Sequence, residues 1–318
     1  MNITNTERAV KEAMNFALTA ALKKSPRSGF GWVLLDGQGR YLDSNSMIIG
    51  ADLLKLSMSV ERFSTTFRHL VLTSDPVTAM IDQERLIQAL ASSECKTITI
   101  GFCSDVQRDT PWQQWLSTWK GRVYNLPHTQ LTEMLSAGPN KVLLNGLPWL
   151  TSISTANLHG APLKLIEFKN EFGFSAYIRE LANQSSVILY TASQKDILEC
   201  LDKKNFSEAD QLICEVDSLA RLESILRYCA MEKRTSAVIL CDIEFLQQLV
   251  CAGKCDEIVH HLGLISAEPA DVQLQQWTIP FDLWSIITSD AIGKCLRLVL
   301  RRNKTDAITA PEYRINNS

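Results

Sequence analysis

Two small groups of polar residues near the ends of predicted strands could bind a nucleotide. The first group consists of Thr155, Asn157 and Gly160, and the second of Thr191 and Ser193. Hydroxyl and amide groups can hydrogen-bond phosphates and sugars, and a glycine lets a ligand approach the backbone closely. The same residue types are also ordinary turn and cap residues. A nucleotide site and a purely local structural role therefore both stay open.

The candidates for metal and redox chemistry are weaker. Cys103 follows a predicted strand and is either a buried thiol or a lone metal ligand. His260 and His261 are adjacent on another predicted strand, so they point to opposite faces and cannot chelate one ion together. Cys251 and Cys255 have the wrong spacing for a thioredoxin-type pair. From these residues we predict neither a metal site nor a dithiol site.

Three tryptophans, Trp112, Trp115 and Trp119, recur at helical spacing after Pro111. An aromatic stripe of this kind is typical of a core or an interface. The alternative is a platform on which nucleic-acid bases stack. We interpret the stripe as packing.

The predicted elements of the first half begin with a helix over 7–24, capped by Thr6. A strand at 31–35, a tight turn at 36–39 and a return strand from residue 41 follow. Residues 50–80 show no clear pattern. The remaining elements are a helix at 82–91, a strand at 96–102, the Trp-rich helix, a strand at 122–124 and a helix at 129–137.

Residues 136–140, Ser-Ala-Gly-Pro-Asn, are predicted to form the linker between two domains. Strands then alternate with helices, which predicts a mostly parallel sheet. The predicted strands lie at 149–155, 186–190, 210–215, 237–240 and 257–264, and the helices at 174–182, 194–203, 217–231 and 244–252. Residues 286–288 and 295–300 are predicted to close the sheet as an antiparallel pair.

Composition and charge exclude several classes of protein. The chain has 318 residues, of which 46% are hydrophobic and 21% charged, and its net charge is −3. These values are typical of a globular protein of two domains. No basic block indicates nucleic-acid binding, and no apolar run approaches the roughly 18–20 residues of a membrane span. Glu7 and Glu12 argue against a signal peptide and the scattered cysteines indicate reduced thiols, so we expect a cytoplasmic protein.

The second half carries a family resemblance. Residues 147–160, Leu-Pro-Trp-Leu-Thr-Ser-Ile-Ser-Thr-Ala-Asn-Leu-His-Gly, are similar without a gap to the opening of a reductase domain. Its pattern is R-P-[apolar]-[apolar]-T-x-K-x-A-x-S-L-D-G, in the bifunctional deaminase/reductase family of riboflavin biosynthesis. Three later segments, at 177–179 with 187–193, at 237–246 and at 252–258, resemble the same domain in the same order.

The first half resembles the deaminase domain of that family less closely. Cys103-Ser104 followed by Arg108-Asp109-Thr110-Pro111 is similar to the segment P-C-S-H-x-G-R-T-P-P-C. The resemblance implies a cytidine-deaminase-like three-layer α/β/α domain at 1–142. It implies a dihydrofolate-reductase-like α/β domain at 146–302, with a tail at 303–318.

The deaminase chemistry that the resemblance implies needs zinc, held by the histidine of an H-x-E motif and two cysteines, with the glutamate of the motif moving protons. No H-x-E occurs in the chain, and the helix assigned to that motif reads Asp82-Gln83-Glu84. Cys103 matches one cysteine, whereas the second falls at Trp112 or Gln113, which cannot replace a thiolate. We therefore expect no zinc.

The reductase chemistry needs NADPH, whose phosphates approach backbone N–H groups through glycines. Where the family has Gly-Gly after a strand, the chain has Asp242-Ile243, and Tyr190 replaces another family glycine. Ile153 and His159 replace the motif lysine and aspartate. The residues that could still bind NADPH, as the resemblance implies, are Thr155, Asn157, Gly160, Thr191 and Ser193. In a loop, His159 is either a proton donor or simply structural.

Two functions follow as alternatives. One is a divergent NADPH-dependent reductase of 5-amino-6-(ribosylamino)uracil phosphate that has lost deamination. The other is a non-catalytic relative that works through binding. The expected partners are a pyrimidine- or pterin-like small molecule and a second copy of the chain, with no nucleic acid and no membrane.

Overall fold

The computed structural model describes residues 3–50, 54–103, 109–127, 129–157, 163–168, 170, 173–200, 212–263, 283–292 and 295–303. The chain forms two compact units. Unit 1 comprises residues 1–149 with 226–236, and unit 2 comprises 150–225 with 237–318. The domain bounds 1–142 and 146–302 stay a prediction, and the tail at 303–318 lies, except for Asn303, outside the described residues.

Unit 1 is built on a five-stranded sheet of order β2-β1-β3-β4-β5. Its strands are β1 Gly29–Asp36, β2 Tyr41–Ile48, β3 Phe67–Leu72, β4 Thr97–Ile100 and β5 Arg122–Asn125. Its helices are α1 Ile3–Lys24, α2 Lys55–Arg62, α3 Gln83–Ala91, α4 Pro111–Thr118, α5 Gln130–Leu135 and α6 Ala137–Asn145. Strand β1 pairs antiparallel with β2 and β3, whereas β3, β4 and β5 are parallel.

Helices cover both faces of this sheet, which gives the predicted three layers. On one face α1 packs Ala17 and Leu18 against Val33 and Val71. On the other face the buried side chains of α2, α3 and α4 pack against the opposite side of the same strands. Helix α1 crosses β1 so closely that a Cβ on Gly31 would lie 2.4 Å from the carbonyl oxygen of Ala17.

Unit 2 is built on a seven-stranded sheet of order β11-β12-β10-β6-β9-β7-β8. Its strands are β6 Trp149–Asn157, β7 Val187–Tyr190, β8 Leu212–Glu215, β9 Ser236–Leu240, β10 Glu257–Gly263, β11 Trp284–Ile292 and β12 Cys295–Arg302. The helices between them are α7 Phe174–Asn183, α8 Leu219–Met231, whose residues from 226 onward are assigned to unit 1, and α9 Ile243–Cys251. The predicted parallel pairs and the closing antiparallel hairpin of β11 and β12 are confirmed.

Four sequence predictions are wrong in detail. Helix α1 begins at Ile3, so Thr6 lies inside it and is not its cap. The patternless stretch at 50–80 contains α2 and β3. The pattern of α2 is weak because two of its buried positions are serines, Ser57 and Ser59. The helix predicted at 194–203 is a 3₁₀ helix, Ala192–Cys200.

The fourth error is the linker. Residues 136–140 lie at the junction of α5 and α6 rather than between domains. Pro139 sits in the first turn of α6, where a missing N–H costs nothing. Gly138 is buried and donates its N–H to the carbonyl oxygen of Arg27 at 2.9 Å. Turn-forming composition therefore marks a tight helix junction here.

Among the described residues, no helix is both long and apolar enough to span a membrane.

Candidate functional site

The ends of three strands in unit 2 bring most of the predicted nucleotide-binding residues to one edge. Asn157 ends β6, Thr191 and Ser193 follow β7, and Asp242 follows β9. Strands β7 and β9 run parallel, and the N–H of Thr191 donates to the carbonyl oxygen of Leu240 at 3.0 Å. We call this the carboxyl edge, and it is where open α/β sheets bind their ligands.

Both hydroxyls of the second predicted group turn toward one carboxylate. Ser193 Oγ donates to Asp242 Oδ2 at 2.6 Å, and Thr191 Oγ1 donates to the same oxygen at 3.4 Å. The two hydroxyl oxygens lie 3.0 Å apart. The three side chains therefore form one hydrogen-bonded cluster.

Asp242 is also the N-cap of α9. Its backbone is extended, with φ −73° and ψ 169°, and its Oδ1 accepts from the N–H of Phe245 at 2.8 Å. Aspartate is a favoured cap because it satisfies a free amide and its charge complements the positive end of the helix. A bound phosphate would use that same amide and that same electrostatic field.

The described residues of this edge do not fit the phosphates of NADPH. The carboxylate of Asp242 stands at the start of α9, so a second anion there would meet like charge. Ile243 is buried next to it and brings a β-branched side chain where the family pattern has glycine. The Asp242 carboxylate thus occupies the start of α9, where a bound phosphate would otherwise cap the helix.

The first predicted group is only partly described. Thr155 is buried, and its hydroxyl donates to the carbonyl oxygen of Leu163 at 2.6 Å. Asn157 is also buried, at 1% exposure. Gly160 and His159 lie outside the described residues. The structure thus gives Thr155 an internal partner, and cofactor binding by Thr155, Asn157, Gly160, Thr191 and Ser193 stays a prediction.

Two other positions singled out in the sequence are internal to unit 2. Ile153, at the place of the motif lysine, is fully buried in the core of the unit. His260 and His261 occupy opposite sides of β10, as the strand alternation requires. His260 Nδ1 lies 2.9 Å from Ser154 Oγ, whereas the His261 ring contacts Phe174 edge-on at a centroid distance of 4.9 Å. Burial lowers the pKa of His260 to about 4 and that of His261 to about 3.

In unit 1 the turn after β3 is closed by another aspartate, Asp75, which is 6% exposed. Its Oδ1 accepts from the N–H groups of Val77 and Thr78 at 2.9 and 3.0 Å. Its Oδ2 accepts from Thr78 Oγ1 at 2.6 Å. Sequence reasoning missed this cluster, although Asp-Pro-x-Thr after an apolar strand is a signal for a local aspartate turn.

The candidate zinc ligand Cys103 is partly buried, and its Sγ lies 3.5 Å from Asn125 Oδ1. His69 on β3 is hydrogen-bonded to Thr99 Oγ1 at 2.8 Å, and burial lowers its pKa to about 4. Within the described ranges, no three Cys, His, Asp or Glu side chains converge as a metal site would require. The described part of unit 1 does not fit zinc.

Solved structures share this fold. RibD from Acinetobacter baumannii aligns over 95% of this chain and 100% of its own, with a TM-score of 0.64 and 12% identity. The chain has the two-domain fold of RibD. A diaminohydroxyphosphoribosylaminopyrimidine deaminase/5-amino-6-(5-phosphoribosylamino)uracil reductase from Thermotoga maritima aligns over 93% of this chain and 99% of its own, with a TM-score of 0.60 and 12% identity.

No family model and no curated protein matches the sequence. The predicted fold class is confirmed: a cytidine-deaminase-like three-layer domain and a dihydrofolate-reductase-like domain, as in RibD. At 12% identity the likeness shows the fold alone, so the chemistry has to be argued from the side chains.

Proposed function

We propose that this chain is a non-catalytic protein on the RibD fold that works through binding rather than turnover. The observation that carries the proposal is the Asp242 cluster. A carboxylate caps α9 and is tied to Ser193 and Thr191, so the helix start that could hold a phosphate already has an anionic partner. Catalysis with NADPH would require that cluster to open.

The environment of Cys103 supports the same proposal for unit 1. Zinc-dependent deamination needs a metal ion that lowers the pKa of its bound water. It also needs a nearby carboxylate that moves the proton. Cys103 has an amide oxygen as its neighbour. Asp75, the buried carboxylate after β3, is already engaged with Val77 and Thr78.

The alternative is a residual NADPH-dependent reductase of 5-amino-6-(ribosylamino)uracil phosphate. The match to the whole length of RibD favours it, because the reductase scaffold is retained. In that case Asn157, Thr191 and Ser193 would contact the nucleotide, and Ser193 would have to leave Asp242.

A turnover assay separates the two functions. The purified chain is mixed with the aminouracil ribotide and NADPH, and nicotinamide absorbance is followed, with the Thermotoga maritima enzyme as the active control. We expect no consumption of NADPH above the buffer rate. Sustained turnover would overturn the proposal in favour of the reductase.

Elemental analysis of the same preparation tests unit 1 separately. We expect zinc far below one ion per chain after purification without chelator. A stoichiometric content together with deamination of a pyrimidine substrate would contradict the non-catalytic proposal.

A further inference from the structure

Unit 1 contains a cavity of about 730 Å³ at the amino-terminal ends of β4 and β5. It lies at the opposite end of these strands from the turns that contain Asp75 and Cys103. Its size falls in the range of small-molecule sites, about 300–1,000 Å³. We call it the basic cavity, and its lining is Leu90, Ala91, Ser93, Cys95, Lys96, Thr97, Trp115, Thr118, Trp119, Lys120, Gly121 and Arg122.

The charged side chains that line the basic cavity are all positive. Lys96, Lys120 and Arg122 line it, and none of the described lining residues carries a carboxylate. Among the described residues none of these cations has an ion-pair partner, and Glu94, two residues before Lys96, is paired with Arg68. Three unpaired cations facing one space attract an anion.

The strand ladder holds these cations together. The N–H of Arg122 donates to the carbonyl oxygen of Lys96 at 2.9 Å, and the next pair in the register is Thr97 with Arg122. Arg122 is the first residue of β5, and Lys96 and Lys120 lie just before β4 and β5, so the pairing of these two strands brings the three cations to one place.

Two tryptophans form part of the wall. Trp115 and Trp119 stack with ring centroids 5.2 Å apart and an interplanar angle of 26°. The Trp119 ring lies directly over Gly121, where a Cβ would come within 2.3 Å of it. Planar rings and bases pack well on such walls. Two residues of the stripe that the sequence indicated as packing, Trp115 and Trp119, thus also line a charged cavity, whereas Trp112 is buried in the core.

We propose that the basic cavity binds a small organic anion with a planar ring, of the size of a nucleoside monophosphate. The cations would hold the phosphate, and the tryptophan wall would contact the ring. The inference uses no residue of the carboxyl edge, so it stands whether or not the chain has lost catalysis.

The experiment uses the full chain and three probes: uridine 5′-monophosphate, uridine and inorganic phosphate. Binding is followed by tryptophan fluorescence and calorimetry at low ionic strength. We expect saturable binding of the monophosphate with Kd below about 1 mM, and binding of uridine and phosphate weaker by about tenfold or more. No saturable binding of the monophosphate would overturn the proposal, as would equal affinity for phosphate alone.

Charge variants locate the site. Lys96→Gln combined with Arg122→Gln should weaken monophosphate binding by about tenfold, because each cation contributes a charge-assisted hydrogen bond. Lys11→Gln combined with Lys23→Gln, two exposed lysines on α1 that do not line the cavity, is the matched charge control and should leave binding unchanged. Equal weakening by both changes, or by neither, would overturn the assignment.

A ring variant tests the aromatic wall. Gly121→Ala places a methyl group where the Trp119 ring now lies, so the ring must move. We expect weaker monophosphate binding with unchanged phosphate binding. Gly37→Ala, whose Cβ would meet only a side-chain carbon at 3.5 Å, is the control. Unaltered monophosphate binding in Gly121→Ala, or preferential binding of a short single-stranded oligonucleotide by the native chain, would contradict the proposal.

Discussion

Asp75 in unit 1 and Asp242 in unit 2 perform the same structural task with different partners. Each follows a buried strand and accepts hydrogen bonds from a backbone amide and a hydroxyl. The carboxylate of Asp75 accepts from Val77 and Thr78, which lie within three residues of it, whereas Ser193 is 49 residues from Asp242. The hydrogen bonds of the first carboxylate stabilise one turn, and those of the second join the ends of two strands.

This difference shows two ways of closing the end of a strand. A local turn closes itself wherever the short motif occurs, so its effect is on stability alone. A link between two strand ends also removes donors from the edge where a ligand would bind. The proposed loss of cofactor binding in unit 2 therefore rests on the longer link.

Acid should affect the two units unequally, and this is the largest effect we expect. Among the described residues, unit 1 has one buried histidine with a lowered pKa, His69, whereas unit 2 has two, His260 and His261. Each of these histidines takes up a proton near its ordinary pKa of 6.5 in the unfolded chain. In the folded state, burial prevents protonation until the pH is much lower. Stability is therefore lost as pH falls below about 6.5, by about 1.4 kcal/mol per pH unit for each histidine, until the folded pKa is reached.

Hydrogen exchange of backbone amides between pH 7 and pH 5 measures this loss, after correction for the intrinsic pH dependence of exchange. We expect amides of β10 to lose roughly twice as much protection free energy as amides of β3. His260→Gln with His261→Phe should remove most of the excess in unit 2. Equal losses in both units would show that these histidines do not control acid stability.

The loss of stability on replacing Asp75 or Asp242 should be larger for the more buried aspartate. Asp75→Ala leaves two amides and a hydroxyl without their acceptor in a buried turn, so we expect a loss of about 3 kcal/mol in the free energy of unfolding. Asp242→Ala should cost about 1–2 kcal/mol, because the side chain is only partly buried. Urea denaturation gives both values.

Asp82→Ala is the exposed reference in this series, since Asp82 caps α3 by accepting from the Arg85 amide at 3.0 Å. A cost of about 1 kcal/mol or less is expected there. If Asp242→Ala costs less than Asp82→Ala, the hydroxyl contacts of Asp242 contribute nothing to stability.

The smallest effect concerns the link between β7 and β9. Ser193→Ala, Asp242→Ala and the double variant form a thermodynamic cycle. We expect a coupling free energy of about 1 kcal/mol from thermal or urea unfolding, because the hydrogen bond joins a hydroxyl to a carboxylate. Thr191→Val with Asp242→Ala should couple more weakly, since the Thr191 contact is 3.4 Å long. Additive effects of Ser193 and Asp242 would remove the evidence for the link.

Much of the fold follows from sequence because its elements are strongly periodic. The alternation of buried strands with amphipathic helices predicted the parallel sheet of unit 2, and the apolar face of α1 predicted its packing. Helix α2 and the junction of α5 with α6 were missed because small residues pack there. Serine, glycine and proline are small or turn-forming residues, so a sequence that uses them at close packing contacts is easily mistaken for a loop.

The site was only partly predictable. The family resemblance shows that Asp242 stands where glycine is expected, and the proposed loss of NADPH binding rests on this residue. It does not show that Ser193 and Thr191 turn toward that carboxylate, because the contact joins segments that meet only in the folded sheet. The basic cavity was missed for the same reason, since its cations converge through strand pairing.

The most direct test of the central claim is a calorimetric titration of NADPH at low ionic strength into the purified Lys96→Gln, Arg122→Gln variant, whose basic cavity no longer competes as an anion site. A dihydrofolate reductase titrated in parallel shows that the assay detects NADPH binding. We expect no saturable heat up to about 1 mM NADPH, because the Asp242 carboxylate already caps the start of α9. Saturable binding with Kd near or below about 100 µM, abolished by Ser193→Ala, would mean that the carboxyl edge is an open cofactor site and would contradict the account.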